Sequence, residues 1–222
     1  MLEDDSGSKF IKIINEKFLI KLLFFCFVGI ILAISTMVFL GRNSTVAKCS
    51  SNSIAVGQSS IGGDFTLTDI YGKQINSMDF ITEPSLIYFG YSYCPDVCPF
   101  DLYRNSLVVD ILKELGINIT PIYITIDPTR DTPKRLASFS SFIHPKLIAL
   151  TGSEIEIKNV MKLFKVYGKK PSTPGLDKTA YLMDHSAFTY LVSSSNEFIN
   201  YFNRKISAEE MAGQVSCLLD KN

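Results

Sequence analysis

A short apolar run that leads directly into two closely spaced cysteines is the feature that most constrains the fold of this chain. Residues 86–90 read Leu-Ile-Tyr-Phe-Gly, and this density of β-forming side chains predicts a buried strand. Cys94 and Cys98 follow, and apolar side chains then recur at intervals of three and four over residues 102–115, which predicts an amphipathic helix. The cysteines therefore lie at the carboxyl end of a strand, the edge of an open α/β sheet where ligands collect.

The cysteine pair fits three interpretations: a structural disulfide or two buried thiols, a redox dithiol, or a soft-metal site. Pro99 suits the first turn of the following helix, which places Cys98 at or next to a helix N-terminus. There the helix dipole favours a thiolate, so we expect a lowered pKa for Cys98. Two cysteines alone do not separate a redox pair from a metal site, and a third ligand would favour the metal.

Strand and helix patterns alternate along the chain from residue 64 to residue 222. Phe65-Thr66-Leu67-Thr68 and Gln74-Ile75 predict a β-hairpin. The further predicted elements are strands at 117–126, 147–150, 188–192 and 198–202, helices at 132–142, at 153–164 and from 207 onward, and a loop at 168–178. This order predicts an α/β, thioredoxin-like domain with an added N-terminal β-hairpin, although a small flavodoxin-like domain has a similar pattern.

The N-terminal region contains an uncharged apolar run, residues 22–40, whose 19 positions are long enough to cross a bilayer. We predict a transmembrane anchor there, preceded by a cytoplasmic tail at 1–21 and followed by a flexible linker at 41–63. The lysines that precede the run predict a single-pass inner (cytoplasmic) membrane protein whose C-terminal domain lies in the periplasm. A cleaved signal peptide and a buried helix are the alternatives, which the length of the run and its lack of a polar face disfavour.

Charge and the remaining cysteines narrow the function further. Lys plus Arg and Asp plus Glu both total 22, so no net field points to a nucleic-acid partner. Cys26 lies inside the apolar run, Cys49 lies in the linker, and Cys217 is expected in the core of the last helix. Cys94 and Cys98 are thus the pair with a shared role.

The two histidines differ in position. His144 lies in a helix-to-strand connection, where we expect it to be solvated. His185 lies between the predicted loop and a strand, from where its side chain can reach the cysteine loop. A structural role for His185 is the alternative to a ligand role.

The sequence contains three further motifs, Cys-Pro-Asp-Val-Cys-Pro at 94–99, Thr-Ile-Asp-Pro-Thr-Arg-Asp-Thr at 125–132 and Asp-His-Ser at 184–186. Together they resemble the SCO/SenC family of copper-binding cytochrome c oxidase assembly proteins, and the resemblance covers about residues 57–220. It implies a thioredoxin-like fold and one copper per domain, Cu(I) or Cu(II), held by Cys94, Cys98 and His185. Two thiolates and an imidazole are a soft ligand set that suits Cu(I), although zinc also accepts these ligands.

The resemblance also implies a function. The chain would be a membrane-anchored copper chaperone, not an enzyme, that delivers copper to the dinuclear site of cytochrome c oxidase subunit 2, with an upstream copper donor or thiol reductant as a further partner. The alternative is a thiol–disulfide oxidoreductase that keeps the oxidase cysteines reduced, which needs Cys94 and Cys98 but not His185. Three residues separate these cysteines, against two in the thioredoxin motif. A peroxide-reducing enzyme is a more distant alternative.

Two further groups of charged residues carry hypotheses. Asp127 and Asp131 are expected either to shape the site or dock a partner, or to serve as turn and cap residues. Lys169, Lys170 and Lys178 make the loop before His185 cationic, which would let it reorganise around copper or a partner.

Overall fold

The computed structural model describes Lys21 and residues 24–37, 61–95, 97–170 and 181–220. The chain divides into two compact units, Met1–Val46 and Ala47–Asn222. The rest of the predicted tail, both ends of the predicted anchor at 22–40, most of the linker and most of the predicted loop at 168–178 lie outside the described residues.

The first unit contains a helix, α1, described over residues 24–37. Its apolar side chains, such as those of Phe25 and Met37, are exposed. Among the helices within the described residues, none combines the length and the apolar character needed to cross a membrane.

The second unit is an α/β domain. Its strands are β1 (Thr66–Thr68), β2 (Gln74–Asn76), β3 (Ser85–Gly90), β4 (Thr120–Thr125), β5 (Ile148–Leu150), β6 (Gly168–Lys169), β7 (Asp184–His185), β8 (Thr189–Val192) and β9 (Phe198–Phe202). Its helices are α2 (Ser77–Phe80), α3 (Val97–Glu114), α4 (Pro133–Ser141), α5 (Glu154–Leu163) and α6 (Ala208–Leu219). The main sheet has the order β5-β4-β3-β8-β9, in which β3, β4 and β5 are parallel and β8 and β9 are antiparallel to their neighbours.

Most predicted elements are confirmed with boundaries shifted by one to three residues. The predicted hairpin is present as the antiparallel pair β1–β2. Thr132 caps α4 with Pro133 in its first turn, and Ser153 and Glu156 form a capping box at the start of α5. β4 begins at Thr120, so the first part of the strand predicted at 117–126 is wrong.

The central strand β3 is buried on both sides, and this fixes its carboxyl end in place. All six of its residues are buried. On one side the Phe89 ring lies 5.5 Å from the Phe164 ring and 5.8 Å from the Tyr190 ring. Leu86 belongs to a separate apolar cluster with residues of α3 and α6. The loop that follows β3 therefore leaves a rigid core rather than a mobile edge.

Two predictions outside the main sheet are wrong in part. The predicted loop at 168–178 begins with a strand, because Gly168 and Lys169 pair with His185 and Asp184 in an antiparallel ribbon. Cys217, predicted as a core residue, is partly buried and disulfide-bonded. Cys26 is an exposed thiol, and Cys49 lies outside the described residues.

Candidate metal centre

The cysteine loop connects the end of β3 to the first turn of α3. Cys94 lies in the loop and its backbone N–H donates to the Tyr91 carbonyl at 3.1 Å, which closes a tight turn. Cys98 is the second residue of α3 and its side chain faces the core. Both are buried, with 9% of Cys94 and 1% of Cys98 exposed, and both are thiols rather than a disulfide.

The β6–β7 ribbon brings His185 to the same place. Gly168 pairs with His185, and the next residue, Ser186, donates its backbone N–H to the Tyr167 carbonyl at 2.9 Å. The Ser186 hydroxyl in turn accepts from the Tyr167 N–H at 3.0 Å. A Cβ at residue 168 would lie 2.5 Å from Met161 Cε, the flexible end of a side chain of α5. The ribbon thus places the histidine backbone beside α5.

Cys94, Cys98 and His185 are brought together as the sequence predicted. One ligand atom from each lies within 4.8 Å of the other two, and Cys98 Sγ is 3.6 Å from His185 Nε2. Sulfur and imidazole ligands bind a soft or borderline ion at about 2.0–2.3 Å, so three of them in a trigonal arrangement lie about 3.5–4 Å apart. The group fits one ion of this kind with small adjustments.

The histidine ring has the tautomer that a ligand needs. Its Nδ1 lies 2.9 Å from the Ser186 carbonyl oxygen. A carbonyl only accepts hydrogen bonds, so Nδ1 carries the hydrogen and the neutral ring keeps its lone pair on Nε2. Nε2 faces Cys98 Sγ, and the Ser186 carbonyl is therefore the outer partner that orients the ring for coordination.

Burial favours the uncharged forms of Cys98 and His185 in the metal-free site. Burial raises the pKa of the Cys98 thiol to about 12, so the expected lowering of this pKa at the helix N-terminus is wrong. Burial also lowers the pKa of His185. Both shifts favour the neutral side chain at neutral pH. A thiol must lose its proton to become a metal ligand, so binding of an ion here is coupled to proton release.

A buried carboxylate next to the site was missed by the sequence analysis. The Tyr88 hydroxyl donates to Asp101 Oδ2 at 3.1 Å, and the Arg204 Nε lies 3.2 Å from the same oxygen. Asp101 stands one helical turn after Cys98, and this i, i+3 spacing is the signal that could have found it. Burial, with the nearby Cys98 and Asp101, raises the pKa of Tyr88.

The second histidine is not part of the site. His144 Nε2 lies 3.5 Å from Asp110 Oδ1, and 9% of its side chain is exposed. The expectation that it is solvated is therefore wrong, because its ring packs in the connection between α4 and β5. Its Nδ1 accepts from the Lys146 N–H at 3.1 Å, which is a local turn role.

The structure gives positions for both aspartates and for two of the three lysines to which the sequence hypotheses assigned roles. Asp127 and Asp131 are buried, with 4% and 0% exposed, and both accept hydrogen bonds from neighbouring loops. Lys169 belongs to β6, and Lys170 Nζ lies 3.8 Å from the centre of the Tyr181 ring. Lys178 lies outside the described residues, so the hypothesis of a reorganising cationic loop stays a prediction.

The sheet, the flanking helices and the Cys–Cys–His group define a thioredoxin-like domain with a candidate soft-metal site at the carboxyl end of its central strand. The chain belongs to the SCO1/SenC family, whose family model matches residues 55–220.

Relatives and solved structures agree with this assignment. Protein SenC of Rhodobacter capsulatus is 40% identical over 197 residues, which cover 87% of this chain and 86% of the relative. The crystal structure of Arabidopsis thaliana ScoI with copper bound has a TM-score of 0.69 and 32% identity, and covers 73% of this chain and 99% of that one. The crystal structure of yeast Sco1 with copper bound has a TM-score of 0.67 and 36% identity, and covers 73% and 90%.

Proposed function

We propose that this chain binds one copper ion through Cys94, Cys98 and His185 and passes it on as a copper chaperone. The observation that carries the proposal is the convergence of three soft ligand atoms within 4.8 Å, from a loop, a helix and a strand. Copper-bound structures of two relatives with the same fold support it. Two sulfurs and an imidazole nitrogen form a low-coordinate set that favours Cu(I) over harder ions.

We further propose that the acceptor is the dinuclear copper site of cytochrome c oxidase subunit 2, as the three motifs of the family imply. The uncharged run at 22–40 would anchor the chain in the inner membrane, with the metal-binding domain in the periplasm. A site that releases its ion needs a ligand that can be exchanged. His185 fits this role, because it lies on a two-residue ribbon while Cys98 lies within a long helix.

The test uses the full-length chain in detergent, loaded with copper without oxygen. We expect about one copper per chain for the parent, and strongly reduced binding for Cys98→Ala and His185→Ala. The matched controls are His144→Ala, which removes the histidine that the structure places away from the group, and Cys26→Ser, which removes an exposed thiol. Both controls should bind copper as the parent does. Parent-like binding by His185→Ala contradicts the proposed ligand set.

Delivery is tested separately. The copper-loaded chain is mixed with the soluble copper-binding domain of oxidase subunit 2 in its reduced, metal-free form, and the metal content of each protein is measured after separation. Transfer that requires a loaded parent and that fails with His185→Ala supports a chaperone. Retention of all copper by this chain, under conditions where the acceptor binds free copper, contradicts delivery.

The second candidate is a thiol–disulfide oxidoreductase. The observation that favours it is the proximity of two thiols, Cys94 and Cys98, whose sulfurs lie within 4.8 Å at the end of a strand. A disulfide requires about 2.05 Å between the sulfurs, so a small loop movement would bring them into bonding distance. The bond would form as a disulfide of the oxidase partner takes up the two electrons and two protons of the thiols. If His185→Ala restores oxidase assembly in cells while Cys98→Ala does not, the redox function is favoured over copper delivery.

A further inference from the structure

The segment between β4 and α4 contains two buried carboxylates. Their hydrogen-bond partners lie in the two parts of the chain that supply the candidate site, the cysteine loop and the segment before His185. Asp127 and Asp131 follow β4 at the same edge of the sheet as the cysteine loop. A buried carboxylate is costly unless hydrogen bonds satisfy it. The partners of these two aspartates therefore indicate what each one holds.

Asp131 holds the cysteine loop. Its Oδ2 accepts from the Ser92 backbone N–H at 2.9 Å and its Oδ1 accepts from the Ser92 hydroxyl at 2.6 Å. The Thr125 hydroxyl donates to Oδ2 at 2.7 Å, which ties the same carboxylate to β4. Arg135 Nε donates to the Ser92 hydroxyl oxygen at 2.9 Å. Ser92 stands two residues before Cys94, so these bonds fix the start of the loop.

Asp127 and Arg130 hold the histidine segment through Tyr181. The Tyr181 hydroxyl donates to both carboxylate oxygens of Asp127, at 2.7 and 2.9 Å. Arg130 Nε donates to Asp127 Oδ2, and Arg130 Nη1 donates to the Tyr181 carbonyl at 2.8 Å. The Arg130 guanidinium carbon lies 3.5 Å from the centre of the Tyr181 ring. Tyr181 stands four residues before His185, and its side chain and main chain are both held.

Tyr91 connects these contacts to the site itself. The Arg130 guanidinium carbon lies 5.5 Å from the centre of the Tyr91 ring, on the cysteine loop. The Tyr91 ring packs edge-on against the His185 ring with 5.8 Å between the centroids. Arg130 thus contacts aromatic rings on both sides of the site, the cysteine side and the histidine side.

We propose that Asp131 and the Asp127–Arg130 pair are positioning residues with separate tasks: Asp131 holds the cysteine half of the site through Ser92, and Asp127 with Arg130 holds the histidine half through Tyr181. The consequence of these roles for copper rests on the proposed function. Cys98 and His185 are 87 residues apart in the chain, so a loose histidine segment would bind the ion less tightly. Loss of the outer contacts of a metal site typically lowers affinity about 10–100-fold.

Two variants of the histidine half and one of the cysteine half separate the tasks. Arg130→Ala removes the central contact, and Tyr181→Phe keeps the ring but removes the hydroxyl bonded to Asp127. Asp131→Asn keeps the size of the side chain and weakens its hold on Ser92. Tyr71→Phe is the matched control, since 86% of Tyr71 is exposed in the β1–β2 turn.

The first readout needs no copper. Amide hydrogen exchange is measured on the metal-free full-length chain in detergent. Tyr181→Phe should speed exchange at Ser186 and its neighbours at least about tenfold while leaving residues 91–95 as in the parent. Arg130→Ala should speed exchange at Ser186 and also at residues 91–95, because its guanidinium contacts the Tyr91 ring as well. Asp131→Asn should speed exchange at residues 91–95 and leave Ser186 as in the parent, and Tyr71→Phe should change neither segment. Parent-like exchange at Ser186 in folded Tyr181→Phe and Arg130→Ala chains overturns the proposal, as does faster exchange at both segments in every variant.

The second readout is the copper site. In the Cu(II)-loaded chain, Tyr181→Phe and Arg130→Ala should weaken the nitrogen hyperfine signal of His185 and lower the affinity about 10–100-fold, while the thiolate charge-transfer band persists. Asp131→Asn should shift that band instead. If the parent binds no copper but the exchange pattern holds, the proposed function fails and the positioning roles stand. If the parent binds copper through the three ligands and no variant alters exchange or spectrum, the positioning roles fail alone.

Discussion

Gly90, the last residue of β3, is the position where one added methyl group tests how tightly the metal centre is built. A Cβ at this position would lie 3.0 Å from Cys98 Sγ, 3.0 Å from Tyr88 Cε1 and 3.2 Å from Tyr123 Cε2. Non-bonded heavy atoms prefer about 3.5–4.0 Å, so Gly90→Ala displaces each neighbour by several tenths of an ångström. Both tyrosine rings are fully buried and have no solvent-facing direction in which to move.

The expected free-energy cost follows from two opposing effects. Overpacking a well-packed core costs about 1–3 kcal/mol. Alanine in place of glycine within a strand recovers about 0.5–1 kcal/mol of backbone entropy. Taking the middle of each range, we therefore expect Gly90→Ala to lower the free energy of unfolding by about 1 kcal/mol. The same displacement moves Cys98 Sγ away from its place beside His185, so copper affinity should fall as well.

The assay is urea unfolding of the metal-free full-length chain in detergent. Far-UV circular dichroism and tyrosine fluorescence both serve as probes, because the chain has no tryptophan and Tyr88 and Tyr123 report on the core. Gly29→Ala is the matched control, since its added Cβ would have no atom within 4 Å. The control should leave the unfolding transition of the domain unchanged.

A double-mutant cycle identifies the contact responsible. Cys98→Ala removes the sulfur that the new methyl group would meet, so the pair Gly90→Ala and Cys98→Ala should couple by about 0.5–1 kcal/mol. Effects that add within about 0.3 kcal/mol mean that the sulfur contact carries no strain. A Gly90→Ala chain as stable as the parent would refute the reasoning as a whole.

Three more predictions follow from the titrating groups and the helix caps. The Cys98 thiol must lose a proton to bind an ion. The dissociation constant for Cu(I) should therefore fall about tenfold for each unit by which the pH rises, for each proton displaced. Competition with a chromophoric chelator measures it. Burial lowers the pKa of His185 in the folded chain, so as the pH falls the unfolded chain binds a proton at this histidine before the folded chain does. The free energy of unfolding of the metal-free chain should have its full value above about pH 6.5 and decrease as the pH falls below that value. Urea titrations should show a smaller decrease for His185→Gln. Ser153→Ala removes the hydroxyl that accepts from the Glu156 N–H and should cost about 1 kcal/mol, whereas the exposed Ser138→Ala should cost much less.

The elements that the sequence predicted well are those whose signals are local. Thr132 with Pro133, and Ser153 with Glu156, satisfy the first N–H groups of α4 and α5 from within four residues. The density of apolar side chains in β3 reflects burial on both faces. The strand can therefore be predicted without knowing which elements pack against it. For the same reason the cysteine loop was placed at the end of a strand from the sequence alone.

The histidine side of the site could not be predicted in this way. Glycine, proline and lysine near residue 168 indicate a loop, and the structure instead pairs Gly168 with His185, 17 residues further along the chain. Residue 168 also lies beside Met161 and Ile126, and no short window of sequence contains these neighbours together with His185. The residues alone left His185 between a structural and a ligand role, and the family resemblance made the assignment.

The failed prediction for Cys98 shows which physical effect wins when two compete. A helix N-terminus stabilises a charge by about 0.3–1 kcal/mol, which is less than one pKa unit, because one unit corresponds to about 1.4 kcal/mol. Burial of a charged group can shift its pKa by up to about 3–5 units in the other direction. The sulfur belongs to the same buried core cluster as Tyr88 and Tyr123, from two different strands, and burial raises the pKa of this thiol to about 12. The helix position is visible in the sequence and the enclosure is not, so the stronger effect is the one that only the folded chain reveals. A soft cation that binds this thiol must therefore displace its proton to solvent.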